Sequence, residues 1–233
     1  MRILLLLSGY TCKRVSWDKG DDGTPKKDNM QDFFYGAEYL KKLLRNHDVK
    51  TICTLWDDIG IEEVKKVYDP EILISLSQND FQEKLSDILG DYEIRRMKKR
   101  NNWFKQKKIK NNLVISAARF ASQLYGRQVV SKKAIEFINK KDFIPDLILL
   151  TRYDISCRGG ALIRNPAKIS IEIEKFLSKD KSVPRVVLPL FNQLNAGLPD
   201  MWFYLNYLGL DEMQYVYDQY IFSITNNESE YKK

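Results

Sequence analysis

Phe143-Ile144-Pro145-Asp146-Leu147-Ile148-Leu149-Leu150-Thr151-Arg152-Tyr153-Asp154 decides how this chain is read. Consecutive aliphatic residues follow a Pro-Asp turn and end on a polar, charged stretch. A short continuous apolar run reads as a strand covered on both faces, the kind that parallel sheets contain. An acid delivered to the carboxyl end of such a strand is costly unless it is paired, solvated or bound to a metal ion. Arg152 and Asp154 are therefore either a structural ion pair at a strand end or the beginning of a site.

The segments on either side repeat the pattern. Ile3 to Leu7 is a second apolar run that stops at Ser8-Gly9, and a polar loop from Lys13 to Asn29 follows. Met30 to Leu44 carries Phe33, Phe34, Ala37, Leu40 and Leu44 at helical spacing, with Asp28 or Asn29 as a cap. Val49 to Leu55 reads as a strand ending at Trp56-Asp57, and Ile61 to Val67 as a helix stopped by Asp69-Pro70. Glu71 to Leu76 is a further strand and Phe81 to Leu89 is helical. Asn112 to Phe137 is a helix in which Gly126 marks a break or a close approach. Val186 to Pro189 is another strand, and the aromatic stretch Asp200 to Leu208 reads as a helix. Strands alternating with helices give an α/β single domain over residues 1–225, with a mainly parallel central sheet flanked by helices and a polar tail at 226–233. In such sheets ligands bind beyond the carboxyl ends of the strands, where Ser8-Gly9-Tyr10, Trp56-Asp57 and Arg152-Tyr153-Asp154 fall.

The 233 residues suffice for one large domain with a full core. Cys12, Cys53 and Cys157 have neither metal-ligand spacing nor a disulfide framework, which fits a reducing cytoplasm. The apolar run at Ile3–Leu7 is too short for a signal-peptide core or a membrane span, so the expected location is cytoplasmic. Net charge is +7, and no Asp or Glu occurs between Glu93 and Glu136. The basic run there attracts anions such as phosphates, acidic sugars, nucleic acid or an anionic lipid surface. It reads equally as a solvated basic face.

Several chemistries are excluded. His47 is the one histidine, so Ser-His-Asp, Cys-His and multi-histidine metal sites are out of reach. There is no Walker A sequence and no Gly-x-Gly-x-x-Gly. Carboxylates and positive charge are left. Asp154 can hold a divalent ion against a diphosphate, and Arg152 can grip the same phosphates with two parallel hydrogen bonds. Asp200 can take the proton of an acceptor hydroxyl, with Trp202 or Tyr204 stacked on a sugar ring, or can simply cap a helix. Ser8-Gly9-Tyr10-Thr11 can bring backbone N–H groups and a ring to a nucleotide, or merely end a strand.

Taken in order, these pieces resemble a family of bacterial and large-virus glycosyltransferase-like proteins from surface-polysaccharide gene clusters. The matching stretches are Leu6-Leu7-Ser8-Gly9-Tyr10, Thr54-Leu55-Trp56-Asp57, Tyr68-Asp69-Pro70 with Gln78-Asn79-Asp80-Phe81, Leu149 to Asp154, and Asp200-Met201-Trp202 before Met213. The resemblance spans residues 2 to 213 and rests on their order. It implies a GT-A-like fold and a transferase, more inverting than retaining in character, that moves a sugar from a nucleoside-diphosphate sugar to a glycan or lipid-linked acceptor. Arg152-Tyr153-Asp154 stands in the place of the Asp-x-Asp motif that binds metal and diphosphate in many such enzymes. Only one acid stands there, which leaves dependence on Mn²⁺ or Mg²⁺ open, with Arg152 able to replace part of the cation's charge.

The implied nucleotide-sugar site comprises Ser8, Gly9, Tyr10, Thr11, Trp56, Asp57, Gln78, Arg119, Arg152, Tyr153 and Asp154. Asp154 is the metal ligand, Asp200 the catalytic base, and Trp202 and Tyr204 the acceptor contacts. The basic run would then favour an acidic or diphosphate-bearing acceptor, or hold the enzyme against the inner face of an anionic membrane. Two other functions stay open. One is a non-catalytic nucleic-acid-binding protein built on residues 95–133, although that segment lacks a recognised nucleic-acid module. The other is a transferase fold that binds a sugar or partner without turnover.

Overall fold

Ile3, Leu4, Leu5, Leu6 and Leu7 are sealed from solvent because β1 (Arg2–Gly9) lies inside a sheet covered on both faces. The computed structural model describes residues 1–9, 30–56, 60–81, 83–85, 88, 117–141, 143–153, 166–187 and 202–230, with the backbone alone at 31–32, 117–120, 166–170, 202 and 224–230. After β1 come α1 (Gln31–Leu44), β2 (Asp48–Trp56), α2 (Ile61–Tyr68) and β3 (Ile72–Leu76). Then follow α3 (Ala117–Lys141), β4 (Leu147–Thr151), α4 (Pro166–Leu177), β5 (Val186–Val187), β6 (Trp202–Leu205), α5 (Tyr207–Met213) and α6 (Val216–Glu230).

The strands form one six-stranded sheet in the order β3-β2-β1-β4-β6-β5. β3, β2, β1 and β4 are parallel, and β6 runs antiparallel to both of its neighbours. The expected α/β architecture with a mainly parallel sheet is thus present.

Side-chain alternation along β1 divides the core in two. Ile3, Leu5 and Leu7 pack with Phe33, Leu40 and Leu44 of α1 and with Ile173 and Phe176 of α4. Leu4 and Leu6 face the other way, toward Val130, Ala134 and Phe137 of α3 and Leu210 and Met213 of α5. α3 is itself covered by α6. Gln128 Oε1 accepts from the Tyr217 and Asp218 backbone N–H groups at 2.9 and 3.2 Å, and its Nε2 donates to Asp218 Oδ2 at 3.0 Å. A helix between a sheet and another helix buries most of its circumference, and Gln128 turns that burial into a cap for α6.

One expectation needs correction. Asp200 to Leu208 is not one helix: Trp202–Leu205 is strand β6, paired with β4, and a short helix begins only at Tyr207. A strand buried on both faces loses the polar alternation that would reveal it, so the aromatic run mimics a core helix. The polar tail is helical as far as Glu230. α1 has Met30 at its N-cap without a side-chain bond, and the expected caps Asp28 and Asn29 lie outside the described residues. Among the described residues no helix is long and apolar enough to cross a membrane.

Candidate functional site

From β1 the chain builds the sheet to one side through β2 and β3, then returns past β1 to place β4 on the other. The strand order reverses between β1 and β4. In open α/β sheets the ligand crevice forms outside the carboxyl ends of the two strands at that reversal. Those ends are Gly9 and Thr151, kept in step by the pairing of Leu7 with Thr151. β2 ends at Trp56 and β3 at Leu76 on the same edge, and β6 begins there, with Trp202 opposite Thr151.

Gly9 has φ of 140°, a conformation that L side chains rarely adopt, and a Cβ built on it meets no atom of the described residues within 4 Å. β1 therefore ends in a residue without a side chain, which lets a ligand approach the backbone closely. Arg152 stands one residue past the end of β4, half-buried, between Thr151 in the strand and Tyr153 in the core. Gln78 is half-buried just beyond β3, where the Ser77 hydroxyl accepts the Asp80 backbone N–H at 3.2 Å. With strands roughly 4.8 Å apart, the edge from β3 to β4 spans about 14 Å.

Four expected contacts turn inward. Trp56 is 2% exposed, with the rings of Phe81 and Tyr125 at 5.2 and 6.0 Å. Tyr153 is fully buried, and its hydroxyl donates to the Thr54 carbonyl at 3.1 Å. Tyr204 is 1% exposed, its hydroxyl 3.5 Å from Glu172 Oε2, and burial first and Glu172 second raise its pKa. Ser8 is buried beneath α3: a Cβ at Gly126 would stand 2.6 Å from Ser8 Oγ. In this structure the side chains of Trp56, Tyr153, Ser8 and Tyr204 are buried and not presented at the edge. These groups pack the platform beneath the edge, because strand alternation turns them to the helices and not to the rim.

Tyr10, Thr11, Asp57, Asp154 and Asp200 lie outside the described residues, as do the side chains of Arg119 and Trp202 and the part of the basic run before residue 117. The backbone of Arg119 is in the first turn of α3. It lies seven residues before Gly126, where the helix crosses Ser8, so about 10 Å of helix separates the two. Among the described residues no cluster of three or more His, Cys, Asp or Glu is placed to hold a metal ion.

Thr54 and Arg127, which the sequence places in a strand and in the basic run without a site role, join the elements beneath this edge. Thr54 is fully buried, and its hydroxyl reaches the Leu7 carbonyl at 3.5 Å and the Gly126 carbonyl at 3.4 Å, joining β1, β2 and α3. Arg127 is 6% exposed, with its guanidinium 4.8 Å from the centroid of Phe203 on β6. A buried cation over a ring face is attracted by the ring's quadrupole. The signal for it was available: Arg127 lies three residues after Leu124 and three before Val130, both core positions on the same helix stripe.

No protein-family model, curated protein or solved structure matches this chain.

Proposed function

We propose that this chain is a GT-A-like glycosyltransferase that moves a sugar from a nucleoside-diphosphate sugar to a glycan or lipid-linked acceptor. The observation that supports it is that Gly9 and Arg152 stand at the ends of the two neighbouring strands between which the strand order reverses. A diphosphate needs positive charge and close backbone approach together, and a site at that edge would draw the first from Arg152 and the second from Gly9.

In this reading Arg152 binds the diphosphate and stabilises the charge that develops on it as the bond to the anomeric carbon breaks. Asp200, two positions before Trp202 in the sequence, removes the proton from the acceptor hydroxyl as its oxygen attacks that carbon from the opposite side. The anomeric centre inverts, and a nucleoside diphosphate departs. Gln78 borders the nucleotide end. Asp154, two residues after Arg152 in the sequence, is the carboxylate assigned to an ion, and one carboxylate with a diphosphate is a donor set that Mg²⁺ accepts. Such an ion would supply further charge to the leaving group, while every step above is assigned to the chain's own residues.

Transfer assays with Asp200→Asn test the assignment. Sugar transfer is expected to fall by at least about a hundredfold with donor affinity kept, as loss of a general base requires. Unchanged transfer would remove Asp200 from the mechanism. Donor binding with no transfer or donor hydrolysis in the wild type would make the chain a binding module instead.

A further inference from the structure

α3 runs against the parallel strands. Gly126 meets Ser8 near the end of β1. Past the last residue of the helix, Lys141, the Asp146 backbone N–H donates to the Arg2 carbonyl at the start of β1 at 2.8 Å. Residues before Gly126 therefore lie toward the carboxyl edge of the sheet, where the strand order reverses. Gln123 is one of them, about 4.5 Å along the helix axis from Gly126.

The direction of its side chain follows from its neighbours. Gly126 faces Ser8 on β1, and Arg127 lies over Phe203 on β6. At about 100° per residue, Gln123 points about 60° from Gly126 and about 40° from Arg127, in the sector between them. The strand between β1 and β6 is β4. Gln123 is thus aimed at the ends of β1 and β4, and the backward tilt of helical side chains carries it further toward the rim. Gly9 and Arg152 stand at those two ends.

The Gln123 carbonyl oxygen is not used by the fold. The residue is half-buried, yet its Oε1 is sealed from solvent and has no hydrogen-bond partner among the described residues. Gln128 on the same helix shows the contrast, since both ends of its amide are taken up by α6. A sealed acceptor without a donor is costly, which suits it to a ligand that supplies the proton. Phosphate oxygens accept hydrogen bonds and cannot fill that place, whereas a hydroxyl can.

We propose that Gln123 is a ligand-binding residue of the strand-end crevice, accepting a hydrogen bond from a ribose or sugar hydroxyl of the donor while Arg152 holds the diphosphate. The assignment rests on the transferase reading above. Rotation about its own side-chain torsions brings the half-buried amide outward as the ligand arrives.

Equilibrium dialysis of wild type and Gln123→Leu against UDP, GDP, CDP and dTDP, each beside its hexose derivative, is the test. The variant is expected to bind the preferred diphosphate sugar at least about tenfold more weakly, as loss of a buried hydrogen bond implies. A loss confined to the hexose derivative places the contact on the transferred sugar, and an equal loss with the bare diphosphate places it on the ribose. The unfolding temperature of the ligand-free variant is expected not to fall, because leucine removes an unmatched acceptor. Undiminished affinity, or a lowered unfolding temperature that gives Gln123 a role in the fold, would overturn the proposal. Failure of the transferase reading is told apart by the wild type alone, which would then bind none of the eight ligands, and it would take the proposal with it.

Discussion

The Tyr153 hydroxyl, just past the end of β4, donates to the Thr54 carbonyl on β2 at 3.1 Å, so it reaches beyond the whole of the intervening strand β1. Arg152 is fixed from both sides by this bond and by the Leu7–Thr151 pairing that precedes it. The bond is buried, where a hydrogen bond left half-made costs more than its net value when formed.

Tyr153→Phe keeps the ring against Phe33 and Tyr68 and removes only the donor. Urea denaturation is expected to show a loss of about 1–2 kcal/mol. Amide exchange at Thr151 and Arg152 is expected to rise more than at Ile3 or Leu4. A uniform rise across the sheet would mean that the bond supports global stability and not this turn.

Gly126→Ala sets helix propensity against contact. Alanine gains up to about 1 kcal/mol in a helix interior. The new Cβ, however, stands 2.6 Å from Ser8 Oγ. The single variant is expected to be less stable than the parent, and Ser8→Ala in the same chain is expected to restore at least half of the loss. Additive effects in the double-mutant cycle would show that the two groups do not meet.

Burial pushes the Cys53 thiol up to about 12 from 9.0, with a smaller opposing pull from its hydrogen bond with Tyr153. Below its unfolded value the thiol is protonated in both states and costs nothing. Above that value the unfolded chain releases a proton that the folded chain keeps, so stability falls as pH rises from about 9 toward 12. Buried Tyr39, also raised to about 12, acts with the same sign at higher pH. Comparing urea unfolding near pH 8 and near pH 10.5, Cys53→Ala is expected to lose less stability than the wild type, by on the order of 1–2 kcal/mol. Equal losses would show that the thiol ionises as freely in the folded protein as in the unfolded one.

Asn206 ties the edge strand to α5. Its Oδ1 accepts the Gly209 and Arg185 backbone N–H groups at 2.8 and 2.9 Å, and its Nδ2 donates to the Val183 carbonyl at 2.7 Å. Asn206→Ala is expected to cost about 1–2 kcal/mol, the usual range for a lost N-cap, and Asn206→Asp less. Gly209→Ala is expected to be worse than either, because its Cβ would lie 2.0 Å from the Arg185 carbonyl oxygen. Thermal unfolding ranks the three.

The parallel half of the sheet was legible because buried strands such as Ile3–Leu7 and Leu147–Leu150 are unbroken aliphatic runs bounded by polar turns. β6 was not, since four large apolar residues carry no period of their own and only pairing with Ile148–Thr151 makes them a strand. Gly126 signalled a close approach, and its neighbour Ser8 confirms one. The edge itself followed from the order of the strands, whereas the inward turn of Trp56, Tyr153 and Tyr204 did not. Which way a ring points at a strand end depends on the alternation set by the whole sheet, and no local residue pattern records it. Thr54 and Arg127 read as ordinary strand and helix residues until the elements that they join are brought together.

Calorimetric titration of nucleoside diphosphates and their sugars into the wild type and Arg152→Ala, with and without Mn²⁺, tests the central claim most directly. Saturable binding of one donor class is expected, weakened at least about tenfold in Arg152→Ala, as loss of a guanidinium–phosphate contact implies. Absence of binding by every nucleoside diphosphate, or equal affinity in the variant, would contradict it.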